Sequence, residues 1–408
     1  MAQKKQFLII LLIVFLGFLG ISMPYLIFPA LFLNPEYSIL PANWGESSRA
    51  IFLGITLAAY PLGQFIGSPI LGALSDDYGR KKILSGSLMI SAFCNLFTGL
   101  SIEWQQLGLL IFSRFIAGLM EGNVSIARAM AADIKAIAKQ ETFGKINAVS
   151  SIAYLIGPLL GGLMTDKNLM ESFTAATPFY CICILFIFLS IVSVKLLKNG
   201  VIKSSVVIQT IWQRFNLFKR LSVLFSNKKL QFLMIVATFF TLAVDCFYEF
   251  GPIYLTIKWS LGPSQLIVYN GVLCLGLAIG NGWLPVFFSS RIAIRTAIIC
   301  FIGVFAILLM GTAVTNSSLV MMLLFGFSGI AIGLVVTLIT VEISDSVADS
   351  IQGEVMGIQI SLRVLGDALI CLFGSALLLI SFKFILIFAS IMSIAVLMFY
   401  SLNKKSRL

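Results

Sequence analysis

Twelve runs of roughly twenty apolar residues, beginning near residues 6, 50, 83, 107, 146, 177, 231, 266, 296, 319, 355 and 384, leave this chain few ways to fold. Each is long enough to cross the ~30 Å hydrocarbon core of a bilayer as a helix. Lipid admits only segments that satisfy their own backbone hydrogen bonds, which for runs of this length means α-helices. With 59% of residues hydrophobic and 11% charged, a soluble globular protein is excluded. The expected fold is an all-α membrane protein of twelve transmembrane helices, arranged as two pseudo-symmetric six-helix bundles.

A formal charge of +11 could suit nucleic acid, but its distribution points elsewhere. With both termini cytoplasmic, 21 basic residues fall inside, four outside (Arg49, Lys167, Lys258, Lys383) and three within spans (Arg114, Arg128, Arg363). That asymmetry is the signature of topology and of contact with anionic lipid. The expected setting is the cell (inner) membrane, with membrane lipids as partners and no nucleic acid. Lys4 and Lys5 precede an apolar run from Phe7 to about Pro29 that lacks a small-residue cleavage site, so it reads as an uncleaved first span. All seven cysteines (Cys94, Cys181, Cys183, Cys246, Cys274, Cys300, Cys371) lie in apolar spans and read as packed free thiols, neither disulfides nor metal ligands.

Seven charges lie within the spans. On span 4, Arg114, Glu121 and Arg128 recur every seven residues beside Gly118 and Gly122, and so share a face. A charge at the bilayer centre costs ~2.5–3.5 kcal/mol, so this stripe should face protein or water, as an ion-pair ladder or as a functional site. Span 7 carries Asp245 and Glu249 with no Lys or Arg within a turn, so at least one is protonated or answered by a distant partner. On span 11, Arg363 and Asp367 are four apart, and a pair on one helix face is the simplest account. Aromatic residues such as Tyr60, Tyr154, Phe247, Tyr248 and Tyr254 could line a cavity. The chain contains no histidine, which removes imidazole relays and the common histidine metal sites. No phosphate-binding loop, nucleophile elbow or cysteine cluster is present, so no enzyme, no metal site and no cofactor beyond a proton gradient is expected.

The second half echoes the first at an offset of 209, pairing Asp133 with Glu342, Gly144 with Gly353 and Gly157 with Gly366. The expected division is an N-terminal bundle over 1–197, a basic cytoplasmic linker over 198–229 and a C-terminal bundle over 230–408. Within the linker, Ile208, Ile211, Trp212, Phe215 and Phe218 fall at helical spacing and predict an amphipathic helix.

Three motifs follow one another along the first half. Between spans 2 and 3 lies Gly72-Ala-Leu-Ser-Asp76-Asp77-Tyr-Gly79-Arg80-Lys81-Lys82, in which the glycines permit close packing and a sharp turn and Asp76 can pair with Arg80. Span 4 has Arg114-x-x-x-Gly118. Span 5 reads Gly144, Ala153, Gly157-Pro158-x-x-Gly161-Gly162, a small-residue stripe with a kink, for which Gly276, Gly280 and Gly282 of span 8 are candidate partners. In this order the motifs resemble the major facilitator superfamily of secondary transporters, in particular its drug:proton antiporter branch of multidrug and tetracycline-type efflux proteins. Asp77 stands where the family often has a basic residue, and Ala153 replaces one glycine of the antiporter motif.

The resemblance implies the major facilitator fold and proton-coupled efflux of a small amphipathic drug or metabolite by alternating access. It places Arg114 in proton coupling, and the cost of charge within the membrane makes Glu121, Asp245, Glu249, Arg363 and Asp367 the further candidate coupling or substrate residues. It implies that Gly72, Asp76, Gly79, Arg80 and Asp133 gate the cytoplasmic side, with Asp133 bonded to Arg80 and Asp76 near Glu354 and Val355. The implied partners are a small-molecule substrate and protons, the chain acting as a monomer. A dedicated metabolite or siderophore exporter is an alternative, because span 1 carries no acid. A nutrient importer or facilitator is another, and a non-transporting membrane sensor stands outside the class.

Overall fold

A computed structural model describes residues 2–34, 39–41, 43–132, 134, 139–165, 170–197, 227–282, 284–347, 349–378 and 381–402. Every regular element among them is an α-helix. The linker helix expected over 208–220 lies outside the described residues.

Each expected span start falls within about two turns of a helix's first residue. Helices α1 (Ala2–Ser22) and α2 (Pro24–Leu33) form the first span, divided at Met23 because Pro24 has no N–H to continue the ladder. The second and third spans are α3 (Glu46–Tyr78) and α4 (Arg80–Glu103). The fourth is broken into α5 (Leu107–Leu119) and α6 (Gly122–Ala132), followed by α7 (Lys139–Leu163) and α8 (Thr177–Leu196). The second half contributes α9 (Lys228–Trp259), α10 (Pro263–Gly282) with the short α11 (Leu284–Ser289), α12 (Ile294–Val314), α13 (Ser318–Asp345), α14 (Asp349–Leu378) and α15 (Phe384–Leu402). Among the described residues, ten stretches are long and apolar enough to cross a membrane. The other two expected spans are α7, whose apolar part is Ala148–Leu163, and α14, which carries Arg363 and Asp367.

The chain forms two compact units. The first comprises Met1–Trp44, Ile55–Asn216 and Gly262–Ser264, and the second Gly45–Gly54, Leu217–Leu261 and Gln265–Leu408. Inside the first, α7 packs on α1, where a Cβ on Gly157 would strike Leu19 and Ser22 and one on Gly161 would strike Met23. Helix α3 lies against α5 through Gly63, Gly67 and Gly118, backbone on backbone, and α8 runs along α4, where the Ser190 hydroxyl donates to Ser85 O at 2.8 Å. The second unit repeats these pairings. Helix α14 packs on α9 at Gly366 and Gly374, α10 on α13 at Gly276 and Gly280, and α15 runs along α12, where Ser390 donates to Ala306 O at 2.8 Å. Small residues let apolar helices approach until dispersion and backbone contacts hold them, since lipid supplies no hydrophobic drive between helices.

This use of glycine corrects one expectation. The atoms nearest Gly276 and Gly280 are the backbone of Gly326 and Ile330 on α13, where the sequence suggested span 5, and Gly282 meets no described atom within 4 Å. The antiporter-motif glycines Gly157 and Gly161 are likewise taken up by the first span.

Candidate functional site

In the first unit, three spans converge on Arg114. A Cβ on Gly118 would collide with Tyr60 O, and one on Gly122 would fall 2.6 Å from Leu71, so glycine at both positions brings α3 close against the fourth span. That approach seats the Tyr60 ring 4.5 Å from the Arg114 guanidinium carbon, with the Phe28 ring at 5.7 Å. Arg114 is 3% exposed. A desolvated cation–π contact contributes about 2 kcal/mol. The Tyr60 hydroxyl then donates to Glu121 Oε2 at 2.6 Å.

Glu121 occupies the gap between α5 and α6 and is 4% exposed. Here the helix tightens: Met120 N reaches Ala117 O at 3.1 Å, and Glu121 N reaches Gly118 O at 2.9 Å. The tightened turn disturbs the seven-residue register, and no ion pair within 4.0 Å joins Arg114, Glu121 and Arg128. The ladder reading is therefore replaced by partners of another kind, with Arg128 stacked over Phe18 at 5.5 Å. Around the break, Glu121 Oε1, both amide atoms of Asn123, and the Nε atoms of Arg114 and Arg128 are buried without a hydrogen-bond partner among the described residues. Asn123, 1% exposed, had no role in the sequence reading. Its signal was an amide two residues from a buried acid in an apolar span.

In the second unit, Asp245 and Glu249 on α9 are both buried. The partner of Asp245 is 118 positions away: Arg363 Nη2 lies 3.7 Å from Asp245 Oδ1. The ion pair that forms thus joins two helices, in place of the Arg363–Asp367 pair expected along one. Close packing at Gly366 and Gly374 explains it, because α14 lies near enough to α9 for a side chain to cross. Asp367 instead approaches Glu249 and Cys371.

The gating residues are less fully visible. Helix α3 continues through Gly72 to Tyr78, so the presumed loop is helical up to Gly79, which alone separates α3 from α4 with φ +94°. Gly72 has no described atom within 4 Å, so close packing there is not made among the described residues. Arg80 Nη1 donates to Ala129 O at 3.0 Å, capping the last turn of α6. Asp133 and the side chain of Asp76 lie outside the described residues. Gly144, Pro158 and Gly162 lie on α7, which runs unbroken through the proline.

Comparison with known proteins is decisive about kinship. The family model described as Major Facilitator Superfamily matches residues 10–370. The chain belongs to the Major Facilitator Superfamily. Within it, the tetracycline resistance protein, class H, of Pasteurella multocida is 37% identical over 166 residues, 40% of this chain and 38% of that protein. Multidrug resistance protein 2 of Bacillus subtilis (strain 168) is 28% identical over 200 residues, 48% of this chain and 45% of that protein. The chain thus spans less than half the length of these curated relatives. Solved structures agree in fold over nearly the whole length. The human organic anion transporter MFSD10 superposes with TM-score 0.68 at 17% identity, covering 98% of this chain and 100% of that one. A D-xylose-proton symporter gives 0.74 at 15%, covering 98% and 99%.

Proposed function

We propose that this chain is a secondary active transporter that exports a small amphipathic drug or metabolite in exchange for protons, by alternating access. The observation that carries the reading is the buried Arg114–Tyr60–Glu121 set, in which one carboxylate oxygen is engaged by a phenol and the other is buried without a hydrogen-bond partner among the described residues, as are both amide atoms of Asn123. An ionisable group inside a membrane protein is costly, and for that reason reads by default as functional. A carboxylate held on one side only has an oxygen with which to take a proton or meet a substrate donor. In this reading a proton reaching Glu121 from outside neutralises the charge that holds the substrate, and Tyr60, stacked on Arg114, keeps the carboxylate's position between cycles. The matching tetracycline and multidrug resistance proteins support export over import. The gradient supplies the work, about 2.3 kcal/mol per charge moved through 100 mV. The chain sits in the inner membrane with both termini cytoplasmic, acts as a monomer and needs no bound cofactor.

The test uses inside-out vesicles and proteoliposomes with a trapped pH dye and a panel of amphipathic compounds. Uptake into inside-out vesicles that collapses when the proton gradient is discharged, and substrate-evoked proton release absent in Glu121→Gln, are the expected results. Substrate movement without a proton signal would make the chain a facilitator and Glu121 a structural residue.

A further inference from the structure

Helices α9 and α14 assemble a donor set that no single stretch of the sequence spells. Glu249, Asp367 and Cys371 each present one ligand atom, and the three atoms lie within 4.8 Å of one another, with Glu249 and Cys371 buried and Asp367 partly exposed. The thiol narrows the chemistry. Carboxylates alone would suit a proton or a hard cation, whereas sulfur beside oxygen selects borderline-soft metals of the zinc class.

A second observation points the same way. Asp245, one turn before Glu249, has a side chain 5% exposed whose Oδ1 faces Arg363 at 3.7 Å, while Oδ2 is buried with no hydrogen-bond partner. Asp245 is also near enough to Asp367 and Cys371 to act on both electrostatically. A buried acceptor with an oxygen to spare, one turn from Glu249, is the kind of group that holds a metal-bound water.

We propose that Glu249, Asp367 and Cys371 bind a zinc-class divalent cation, with Asp245 behind them as the acceptor for a metal-bound water. Metal–oxygen bonds of about 2.0–2.2 Å and metal–sulfur bonds of about 2.3 Å put tetrahedral donors roughly 3.5 Å apart, so the three side chains draw in by about 1 Å when the ion enters. Cys371 binds as thiolate: its S–H bond breaks, the proton leaves to solvent and the sulfur lone pair forms the metal bond. Three anionic donors face a +2 ion, and the Asp245–Arg363 pair adds no net charge. Three protein ligands with one open position describe a site that exchanges its ligands. The proposal goes beyond the transport reading and holds whichever molecule is carried.

The experiment is titration of the purified full-length protein in detergent with Co²⁺, followed by displacement with Zn²⁺. One equivalent of Co²⁺ should give a thiolate-to-metal charge-transfer band in the near ultraviolet, lost on adding Zn²⁺. Cys371→Ser should abolish the band, and Glu249→Gln and Asp367→Asn should each weaken binding at least about tenfold. Cys246→Ser, a fully buried neighbouring thiol outside the donor set, should leave band and affinity unchanged. Folding of each variant is checked by gel filtration. If Cys371→Ser fails to fold, the two carboxylate variants decide. Absence of stoichiometric binding to wild type, a band that survives Cys371→Ser, or undiminished affinity in both carboxylate variants overturns the proposal. Metal binding with no proton-coupled export would instead remove the transport reading and leave this site standing.

Discussion

Tyr60→Phe deletes one oxygen atom and with it the sole hydrogen bond to the Glu121 carboxylate among the described residues. The ring remains, so the Arg114 stack at 4.5 Å is kept and the hydroxyl's contribution is isolated. A hydrogen bond to a charged acceptor contributes about 1.5–3 kcal/mol, and one between neutral groups about 0.5–1.5. In a double-mutant cycle with Glu121→Gln, where the amide can still accept a neutral bond, the coupling is the difference, about 1–1.5 kcal/mol. Reversible unfolding in mixed micelles can resolve this, because independent sites add within about 0.3–0.5 kcal/mol. Repeating the cycle at falling pH adds a sign. Once Glu121 is protonated, wild type also has a neutral acceptor and the coupling should shrink toward zero. Additive single variants at every pH would refute the claim that the phenol holds a carboxylate.

Three further outcomes follow from packing and charge. Gly276→Ala forces a Cβ into Gly326 O, which no rotamer can relieve, and should cost about 1–3 kcal/mol, whereas Gly108→Ala, with no described atom within 4 Å, should be neutral or slightly stabilising; thermal denaturation compares them. Arg363→Gln strands Asp245 and should cost about 1–3 kcal/mol, less than a fully buried pair because the Arg363 side chain is 51% exposed, and adding Asp245→Asn should recover part of the loss in the same melt. Gly79→Ala places a side chain at φ +94° and should destabilise by at least about 1 kcal/mol, read as a lowered melting temperature with helix content unchanged.

What could be read from the chain was periodic or local. Apolar runs locate spans because the bilayer fixes their length, and Pro24 divides the first span because a missing N–H acts where it stands. The break at Met120–Glu121 had no such marker. Gly118 and Gly122 stood in the sequence only as the small residues beside the charged stripe, and it is the structure that shows α3 pressed against both, on either side of the tightened turn. Pairings across the fold were hidden for the same reason. Arg363 found Asp245 in place of the nearer Asp367, and Tyr60, noted only as an aromatic, reached Glu121 from 61 positions away. Helical spacing specifies which residues share a face, while the neighbour of that face is set by glycine contacts from distant segments. Cys371 shows this most plainly. Alone it is an apolar thiol in a membrane helix, and it becomes a donor only when α9 brings Glu249 beside it.

The pairing of first span with fifth and third with sixth also bears on biosynthesis. While a nascent chain has delivered only four spans to the membrane, the α1 surface at Leu19 and Ser22 that receives Gly157, and the α4 carbonyl that receives Ser190, have no partner yet made. These contacts of the first unit can therefore form only once the fifth and sixth spans have been made. Early spans must wait in lipid or under a chaperone until later ones emerge, and ribosomal pausing after the sixth span would let the first unit close before the rest is synthesised.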